Sequence, residues 1–350
     1  MPEAKTLTVA ASPNADSGSR LIEFLTSAWS WLFLALLLVF FEIWARADLG
    51  TSFVFNTHNL RSIGIYAVLP LLLALGQTYV IISGGIDLSV GYTVGFAAVV
   101  VALFCNLFEP LVGMGAGFIG AVVVTVLACA AIGAVNGILI AWLRVPPFIG
   151  TLGMYGVARG IGFLVADGTR VPVRNDVLFE LGNGRLFGEF PIPILVAIVA
   201  LLVMHYVLRQ TRFGQYTYAI GGNRAAAVRS GVKVKRQTLY LYILAAVFAG
   251  LAGIIYTGRF SAGSPDAGEP LLLNAIAAVV IGGASLFGGS GNLIGTLIGS
   301  LIIAVIEYGL VFINLPPFYQ FIGVGFVIII SVLIDQSRSK LTGERASEEG

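Results

Sequence analysis

Few residues in this 350-residue chain have the types and spacing of a catalytic or metal site. The two histidines, His58 and His205, are far apart in the sequence, and the two cysteines, Cys105 and Cys129, lie inside apolar runs. Cysteines in such runs usually serve as small hydrophobic side chains. No nucleophile–base arrangement stands out either. We therefore expect no catalysis by this chain, no bound metal and no cofactor.

A phosphate-binding glycine loop is not found in the sequence. The densest glycine cluster, 288–295, lacks the lysine that the GxxxxGK[ST] pattern places against the phosphates of a nucleotide. The chain is therefore not expected to hydrolyse ATP by itself.

Two ionisable residues, Arg159 and Glu307, lie deep inside long apolar runs. A lone charge in lipid costs several kcal/mol, so each side chain should face the protein interior or water. The two residues could form a structural salt bridge with each other, or either could have a functional role in the membrane. Both interpretations remain open from the sequence.

Asp87 follows a pair of glycines, Gly84 and Gly85, which permits a sharp turn between two apolar runs. Asp87 or Ser89 could cap the helix that follows, and the positive end of that helix favours a carboxylate. The alternative is a role in a gate or in a broken helix near a path through the membrane. The letters GGIDL at 84–88 also resemble GGASL at 282–286, which suggests a weak internal repeat.

Composition defines the elements that must position these residues. The chain is 57% hydrophobic and only 11% charged, whereas soluble domains carry about 25% charged residues. Such a chain can face lipid but not water, and each membrane span needs roughly 20 apolar residues. We predict an all-α integral membrane protein with about ten transmembrane helices. The predicted spans are 29–44, 63–83, 88–108, 111–142, 146–166, 192–208, 237–257, 271–287, 292–312 and 318–334.

The distribution of Lys and Arg predicts the orientation of these spans. Basic residues are concentrated in the segments that would be cytoplasmic if the N-terminus lies inside, as the positive-inside rule requires. An even number of spans then places the C-terminus in the cytoplasm too. The predicted organisation is an N-terminal cytoplasmic tail (1–28), a transmembrane domain (29–334) and a C-terminal cytoplasmic tail (335–350).

The loop 209–236 contains many basic residues and no acidic ones. Within it, Asn223 is a good N-cap, Gly231 is a good residue to end a helix, and the three alanines at 225–227 favour helix. The pattern predicts a two-turn helix on the cytoplasmic face, which is too short to be stable alone and needs a partner surface. The alternative is a basic loop that only fixes the orientation of the spans.

Four stretches of this sequence together resemble one family. They are GQTYVIISGGIDLSVG (76–91), RVPPFIGTLGMYGVARG (144–160), YAIGGNRAAAVRSGVKV (218–234) and LNAIAAVVIGGASLFGGSG (273–291). In this order they are similar to the permeases of the ribose/xylose/galactose class of bacterial ABC importers, which are related to the branched-chain amino acid permeases. The resemblance covers residues 63 to about 335.

The resemblance implies a function for the chain. It would be the membrane-spanning subunit of an ATP-driven importer for a monosaccharide or polyol in the bacterial cytoplasmic membrane. The loop helix would dock on a partner ATPase, which binds the ATP, and we transfer that role to Gly221, Gly222, Asn223, Ala225, Ala226, Ser230 and Gly231. Gly84, Gly85, Asp87, Arg159 and Glu307 remain gate or pathway candidates. Further expected partners are an extracytoplasmic sugar-binding protein, a second permease copy or paralogue, and membrane lipid, but no nucleic acid.

The longest loop on the other side, 167–191, is expected to hold a short helix. Asn175 would cap it, Leu181 would be near its end and Gly182 would stop it. The resemblance implies that this surface receives the binding protein. A secondary transporter or channel and, more remotely, an intramembrane enzyme are the competing classes, and neither needs a short capped helix in a cytoplasmic loop.

Overall fold

Long apolar runs form most of the helices in the computed structural model, which describes residues 17–316 and 318–341. Within those ranges the chain has thirteen α-helices and four two-residue strands. The long helices are α1 (Ser17–Asp48), α2 (Thr57–Ile82), α3 (Val90–Val112), α4 (Met114–Ala141), α5 (Pro147–Val165), α7 (Ile192–Gln210), α10 (Val234–Phe260), α12 (Leu293–Phe312) and α13 (Phe318–Leu341).

Shorter elements connect or interrupt the long helices. They are β1 (Val171–Pro172), α6 (Asp176–Asn183), β2 (Arg185–Leu186), β3 (Phe190–Pro191), α8 (Arg212–Gly222), α9 (Arg224–Arg229), β4 (Ala262–Gly263) and α11 (Glu269–Ile281). The strands form two small antiparallel pairs, β1 with β4 and β2 with β3.

The predicted all-α membrane architecture is confirmed. Eight described helices are long and apolar enough to cross a bilayer, and α11 and the apolar part of α13 are shorter. Each of the ten predicted spans corresponds to one of these helices. The predicted span 271–287 extends too far, because α11 ends at Ile281 and Gly282 and Gly283 follow.

Helix continues into both predicted tails, whose bounds stay a prediction. Helix α1 begins at Ser17, inside the segment 1–28, and α13 continues to Leu341, inside the segment 335–350. The rest of each predicted tail lies outside the described residues. The side of the membrane on which the tails lie stays a prediction.

Two opposite faces of the helical domain carry the connecting elements. We call them the α9 face, which bears the turn between α2 and α3, helices α8 and α9 and the turn between α11 and α12, and the α6 face, which bears α6 and the strand pair β2–β3. Each long helix runs from one face towards the other. Positive-inside counting predicts that the α9 face is cytoplasmic.

Helices α2, α3 and α10 form the centre of the domain. The apolar stretches of α2, α3 and α10 are 83%, 72% and 67% buried, respectively, whereas that of α1, at the periphery, is 11% buried. Glycines permit the close packing that replaces the hydrophobic effect in lipid. A Cβ at Gly133 would contact Ile243 of α10, and a Cβ at Gly299 would contact Ala278 of α11. On α5, a Cβ at Gly156 or Gly160 would meet no atom of the described residues within 4 Å.

The topology can be tested with fusions of a reporter that is active only in the cytoplasm. We expect activity when it is fused after residue 222 or at the C-terminus, because both positions lie on the predicted cytoplasmic side. We expect no activity when it is fused near residue 178, in α6. Equal activity at residues 178 and 222 would contradict the orientation and the ten-span arrangement.

Candidate functional site

The short helix predicted in the basic loop is present as α9 (Arg224–Arg229). The Asn223 side chain accepts a hydrogen bond from the Ala226 backbone N–H at 2.8 Å, as an N-cap does. At the other end Gly231 has φ 83°, and the Val232 N–H donates to the Ala227 carbonyl at 3.0 Å. Backbone positions with positive φ favour glycine. Both ends of α9 are therefore set by Asn223 and Gly231, the two residues that the sequence predicted for them.

Helix α9 attaches to its own chain by one side only. Ala227 is 4% exposed and packs in a small cluster with Ile220 and Val234. Ala225 is exposed, Ala226 is half-buried, and Val228 is 57% exposed. The three alanines at 225–227 therefore do not form a single outward face: Ala227 holds the helix in place, while Ala225 and Val228 point away from it.

Helix α8 (Arg212–Gly222) was not predicted from the sequence. It links α7 to α9 and is clamped to α10, because Gln237 Nε2 donates to the Phe213 carbonyl at 2.9 Å and to Thr217 Oγ1 at 3.1 Å. The signal for α8 was available, since Phe213, Thr217 and Ile220 recur at helical spacing on one face. The basic composition of the loop obscured that periodicity.

Three backbone segments meet without intervening side chains beside α8. We call this contact the glycine junction, formed by Gly84, Gly221, Gly288 and Gly289. The Gly289 N–H donates to the Ile82 carbonyl at 2.8 Å. A Cβ at Gly221 would overlap that carbonyl oxygen, and a Cβ at Gly288 would lie 2.9 Å from the Gly84 nitrogen.

The glycine junction ties the α8–α9 unit to the membrane spans. It connects the end of α8 to the turn after α2 and to the turn after α11. Tyr218 adds a side-chain contact, because its hydroxyl donates to the Gly291 carbonyl at 2.6 Å. These contacts hold the α8–α9 unit against the end of α2 and against the turn between α11 and α12.

The weak internal repeat suggested by the sequence corresponds to the C-terminal ends of α2 and α11, which have the same geometry. Gly84 N–H and Gly85 N–H donate to the carbonyls of Ile81 and Val80, just as Gly283 and Ala284 donate to those of Val280 and Val279. Gly84 and Gly283 have φ of 81° and 87°. The alignment of the letters was therefore wrong by one residue, since Gly84 is equivalent to Gly283 and not to Gly282.

Asp87 lies in a buried polar cluster on the α9 side of α3. Its Oδ1 accepts hydrogen bonds from the Ser89 N–H at 2.9 Å and the Ser89 hydroxyl at 2.6 Å. The Ser89 hydroxyl in turn accepts from Asn136 Nδ2 at 2.8 Å, and Gln77 Nε2 donates to the Asp87 carbonyl at 2.6 Å. Burial raises the pKa of the Asp87 carboxyl to about 6, and the hydrogen bonds from Ser89 oppose that rise.

Asp87 thus orders the turn that precedes α3, but the capping prediction is wrong: the N-cap residue of α3 is Ser89, no side chain accepts a hydrogen bond from the first turn of that helix, and Asp87 bonds Ser89 instead. The cluster is not fully satisfied within the described residues, because Asp87 Oδ2, Gln77 Oε1, Asn136 Oδ1 and the Tyr242 hydroxyl are buried without a hydrogen-bond partner there. A buried unpaired polar atom costs about 1–3 kcal/mol. Gly85 leaves room for the Tyr242 hydroxyl, which would be 2.6 Å from a Cβ at that position. A role of Gly84, Gly85 and Asp87 in gating stays a prediction.

Arg159 and Glu307 do not pair with each other in the described part of the chain. The Arg159 guanidinium lies 5.1 Å from the ring centre of Tyr92 and 5.9 Å from that of Phe163. Glu307 instead accepts a hydrogen bond from Asn274 Nδ2 at 2.6 Å, which joins α11 and α12. The salt bridge between them, one of the two interpretations left open by the sequence, is therefore not formed.

The predicted short helix in the 167–191 loop is present as α6 (Asp176–Asn183). Asn175 caps it by accepting from the Leu178 N–H at 3.0 Å. The helix ends at Asn183 rather than Leu181, and Gly184 follows. Gly182 is instead a packing residue, because a Cβ there would overlap the backbone of Gly258 and Arg259.

The fold and this site define a polytopic membrane protein that holds a capped helix against the turns of its own spans. Residues 59–332, most of the chain, match the family described as the permease component of the branched-chain amino acid transport system. The chain belongs to this family of membrane-spanning permease components. It is a multi-pass protein of the bacterial cytoplasmic membrane.

Individual relatives are similar over nearly their whole length. The chain is 40% identical over 269 residues to the ribose import permease protein RbsC of Bacillus subtilis, covering 77% of this chain and 81% of that protein. It is 36% identical to RbsC of Escherichia coli over 319 residues, covering 90% and 97%. It is 33% identical over 294 residues to the D-allose transport system permease protein AlsC of Escherichia coli, covering 84% and 88%.

Proposed function

We propose that this chain is the translocating subunit of an ATP-binding-cassette importer that carries a monosaccharide or a related polyol into the cell. The observation that carries the proposal is α9, a two-turn helix that exposes Ala225 and Val228 and follows α8, which the glycine junction holds against the turns after α2 and α11. A helix of this length is not stable alone, and its exposed side fits a partner surface. The names of the relatives support a small sugar as the substrate.

The proposed division of labour leaves no chemistry to this chain. A partner ATPase binds and hydrolyses ATP, and α9 docks in a groove of that ATPase. Closure of the ATPase moves α9, and the backbone contacts of Gly221 carry the movement to α2 and α11. The chain itself needs neither a cofactor nor a metal for this alternating-access mechanism.

A second permease copy, or a related permease chain, is proposed to complete the path. Helix α5 supports this, because Gly153, Gly156 and Gly160 have open space where a side chain would be. Small residues of this kind allow two helices to approach closely in lipid. Arg159 is exposed on the same helix and needs a protein or water environment.

The orientation completes the proposal. We place the α9 face, the segments 1–28 and 335–350 and both termini in the cytoplasm. The α6 face then lies outside, where it receives the sugar-loaded binding protein. Its small elements, α6 and the strand pair β2–β3, support this role because they form a structured surface rather than a bare loop.

Reconstitution tests the function directly. Proteoliposomes that contain the permease, its ATPase and the binding protein should take up labelled D-ribose or D-allose only when ATP is available to the ATPase. A complex whose ATPase lacks the phosphate-loop lysine is the matched control and should show no uptake. ATP-independent uptake by the permease alone would identify a secondary transporter instead.

A further inference from the structure

The chain between α10 and α11 turns back along α3 instead of crossing the surface of the domain. We call residues 261–268 the re-entrant segment. Before it, Thr257 Oγ1 donates to the carbonyl of Ala98, in the middle of α3, at 3.1 Å. A Cβ at Gly263 would overlap the same carbonyl, and a Cβ at Gly95 would overlap the Pro265 carbonyl. The segment therefore runs antiparallel to α3, from its middle towards its first turn.

Helix α11 consequently starts inside the membrane domain. A Cβ at Gly91, in the first turn of α3, would lie 3.3 Å from the Gly268 carbonyl oxygen and 3.0 Å from Leu272 Cβ. The 13 residues of α11 span about 20 Å at a rise of ~1.5 Å per residue. The hydrocarbon core is about 30 Å thick. Helix α11 is thus a half-helix, with Glu269 in its first turn.

The re-entrant segment places non-helical backbone inside the membrane domain, where its polar groups need hydrogen-bond partners. Lipid cannot satisfy its N–H and C=O groups, so such segments occur only where protein buries them or where they line a water-filled cavity. A cavity of about 510 Å³ opens beside the re-entrant segment and α11. Its volume lies within the range of ~300–1,000 Å³ that small-molecule sites occupy. The cavity is lined by Arg170, Tyr256, Asp266, Ala267, Glu269, Pro270, Leu273, Asn274 and residues of α13.

The lining combines a few polar groups with apolar walls. Asp266 and Glu269 offer exposed carboxylates, Asn274 an amide, and Arg170 a guanidinium, while Tyr256 offers an aromatic face. The two carboxylates accept hydrogen bonds, the guanidinium donates them and the amide does both, so the lining suits hydroxyl groups. A mostly apolar cavity with a few such groups suits a small polyhydroxylated molecule.

Glu269 is held in position by residues of α3 and α5. Its Oε2 accepts a hydrogen bond from the hydroxyl of Tyr92 at 3.0 Å, and Tyr92 is fully buried. Tyr155 packs edge-on against the Tyr92 ring at 4.6 Å between centroids, and Arg159 covers the ring at 5.1 Å. Glu269 therefore connects the cavity to the exposed face of α5, where the second permease copy is proposed to lie.

We propose that this cavity is the place where the translocated monosaccharide contacts the permease. Asp266, Glu269 and Asn274 hydrogen-bond its hydroxyls, and the Tyr256 ring lies against its apolar face. Tyr92 acts as a positioning residue for Glu269. The inference rests on the proposed function, since it assigns a substrate site to the same importer.

The first test measures sugar uptake by Glu269→Gln and Asp266→Asn in the reconstituted complex. Each change keeps the shape of the side chain but removes a charged acceptor, so we expect KM for the transported sugar to rise about tenfold. ATP hydrolysis without sugar should not change. Asp48→Asn, an exposed acid at the end of α1, is the matched control and should keep the wild-type KM. Wild-type KM in both cavity variants would overturn the proposal.

The second test does not depend on a particular sugar. Cys105 and Cys129 are both buried, so an introduced cysteine can be labelled selectively by a charged methanethiosulfonate, which needs a hydrated thiolate. We expect fast labelling of Leu273→Cys in the cavity wall, slowed by D-ribose or D-allose, whichever the wild-type complex imports. We expect little labelling of Leu36→Cys, which is similarly exposed on the periphery of α1.

The outcomes distinguish the proposed sugar site in the cavity from the proposed import function of the chain. Labelling of Leu273→Cys no faster than that of Leu36→Cys would overturn the cavity site even if the wild-type complex imports sugar. Fast labelling that the imported sugar does not slow would overturn it as well. A wild-type complex that imports no member of a labelled panel of pentoses, hexoses and sugar alcohols contradicts the proposed function instead, and labelling of Leu273→Cys still decides whether the cavity holds water.

Discussion

Replacing Gly221 with alanine is expected to destabilise the permease and to lower ATP-dependent uptake by at least about tenfold. The new Cβ would overlap the Ile82 carbonyl oxygen at the glycine junction. Backbone atoms cannot give way as a flexible side chain can, and overpacking of this kind typically costs about 1–3 kcal/mol. The same shift breaks the hydrogen bond from the Gly289 N–H to that carbonyl, and with it the link between α8 and the turn after α11.

Gly222→Ala is the matched control for the stability measurement. A Cβ at Gly222 would meet nothing within 4 Å in the described part of the chain, and alanine is the stronger helix former at the end of α8. Thermal unfolding of the purified permeases should therefore separate the two neighbours. A Gly221→Ala protein as stable and as active as the wild type would show that the junction is loose and that α8 does not transmit movement through it.

Ala225→Glu is expected to uncouple the permease from its ATPase without unfolding it. The side chain is exposed on α9 and touches no core of its own chain, so a glutamate there is tolerated by the isolated permease. At the proposed interface it brings bulk and charge into the docking groove. Loss of a central interface contact commonly costs about 2 kcal/mol or more, so sugar-stimulated ATP hydrolysis should fall at least about tenfold.

Two further variants serve as controls for Ala225→Glu. Ala225→Ser changes the volume little and should couple normally. Ala227→Glu should instead destabilise the α8–α9 unit, because Ala227 is buried against Ile220 and Val234. Should Ala225→Glu import sugar at the wild-type rate with its ATPase, α9 would not be a docking helix, and the basic loop would serve only to orient the spans.

Local signals made much of this architecture predictable. A membrane span is defined by the length and polarity of one continuous segment, so ten spans could be counted from composition alone. The ends of α9 were equally predictable from the sequence. Asn223 acts through a hydrogen bond and Gly231 through its φ value, and both effects involve only residues a few positions away. For the same reason Asn175 correctly predicted the start of α6.

The sequence did not determine what a residue contacts where a distant segment decides it. Nothing near Ala227 in the sequence distinguishes it from Ala225, and only the packing of Ile220 and Val234 turns it inward. The pairing of Arg159 with Glu307 was one possibility in the sequence, but each found another partner, on α3 and on α11. Side-chain partners across a membrane domain depend on helix packing, which a single sequence does not specify.

By itself the sequence determined that the chain crosses a membrane several times, where its apolar helices lie and that its basic loop carries a capped helix. These properties follow from free energies of transfer and of local hydrogen bonding, which depend on neighbouring residues. The tertiary structure alone decided that a glycine of α8 meets glycines from two turns, and that α11 is a half-helix facing a cavity. In the sequence 271–287 reads as a full span, because apolar residues suit a short buried helix and a long one equally. Only the contacts of 261–268 with Gly91 and Gly95 place the start of α11 inside the domain.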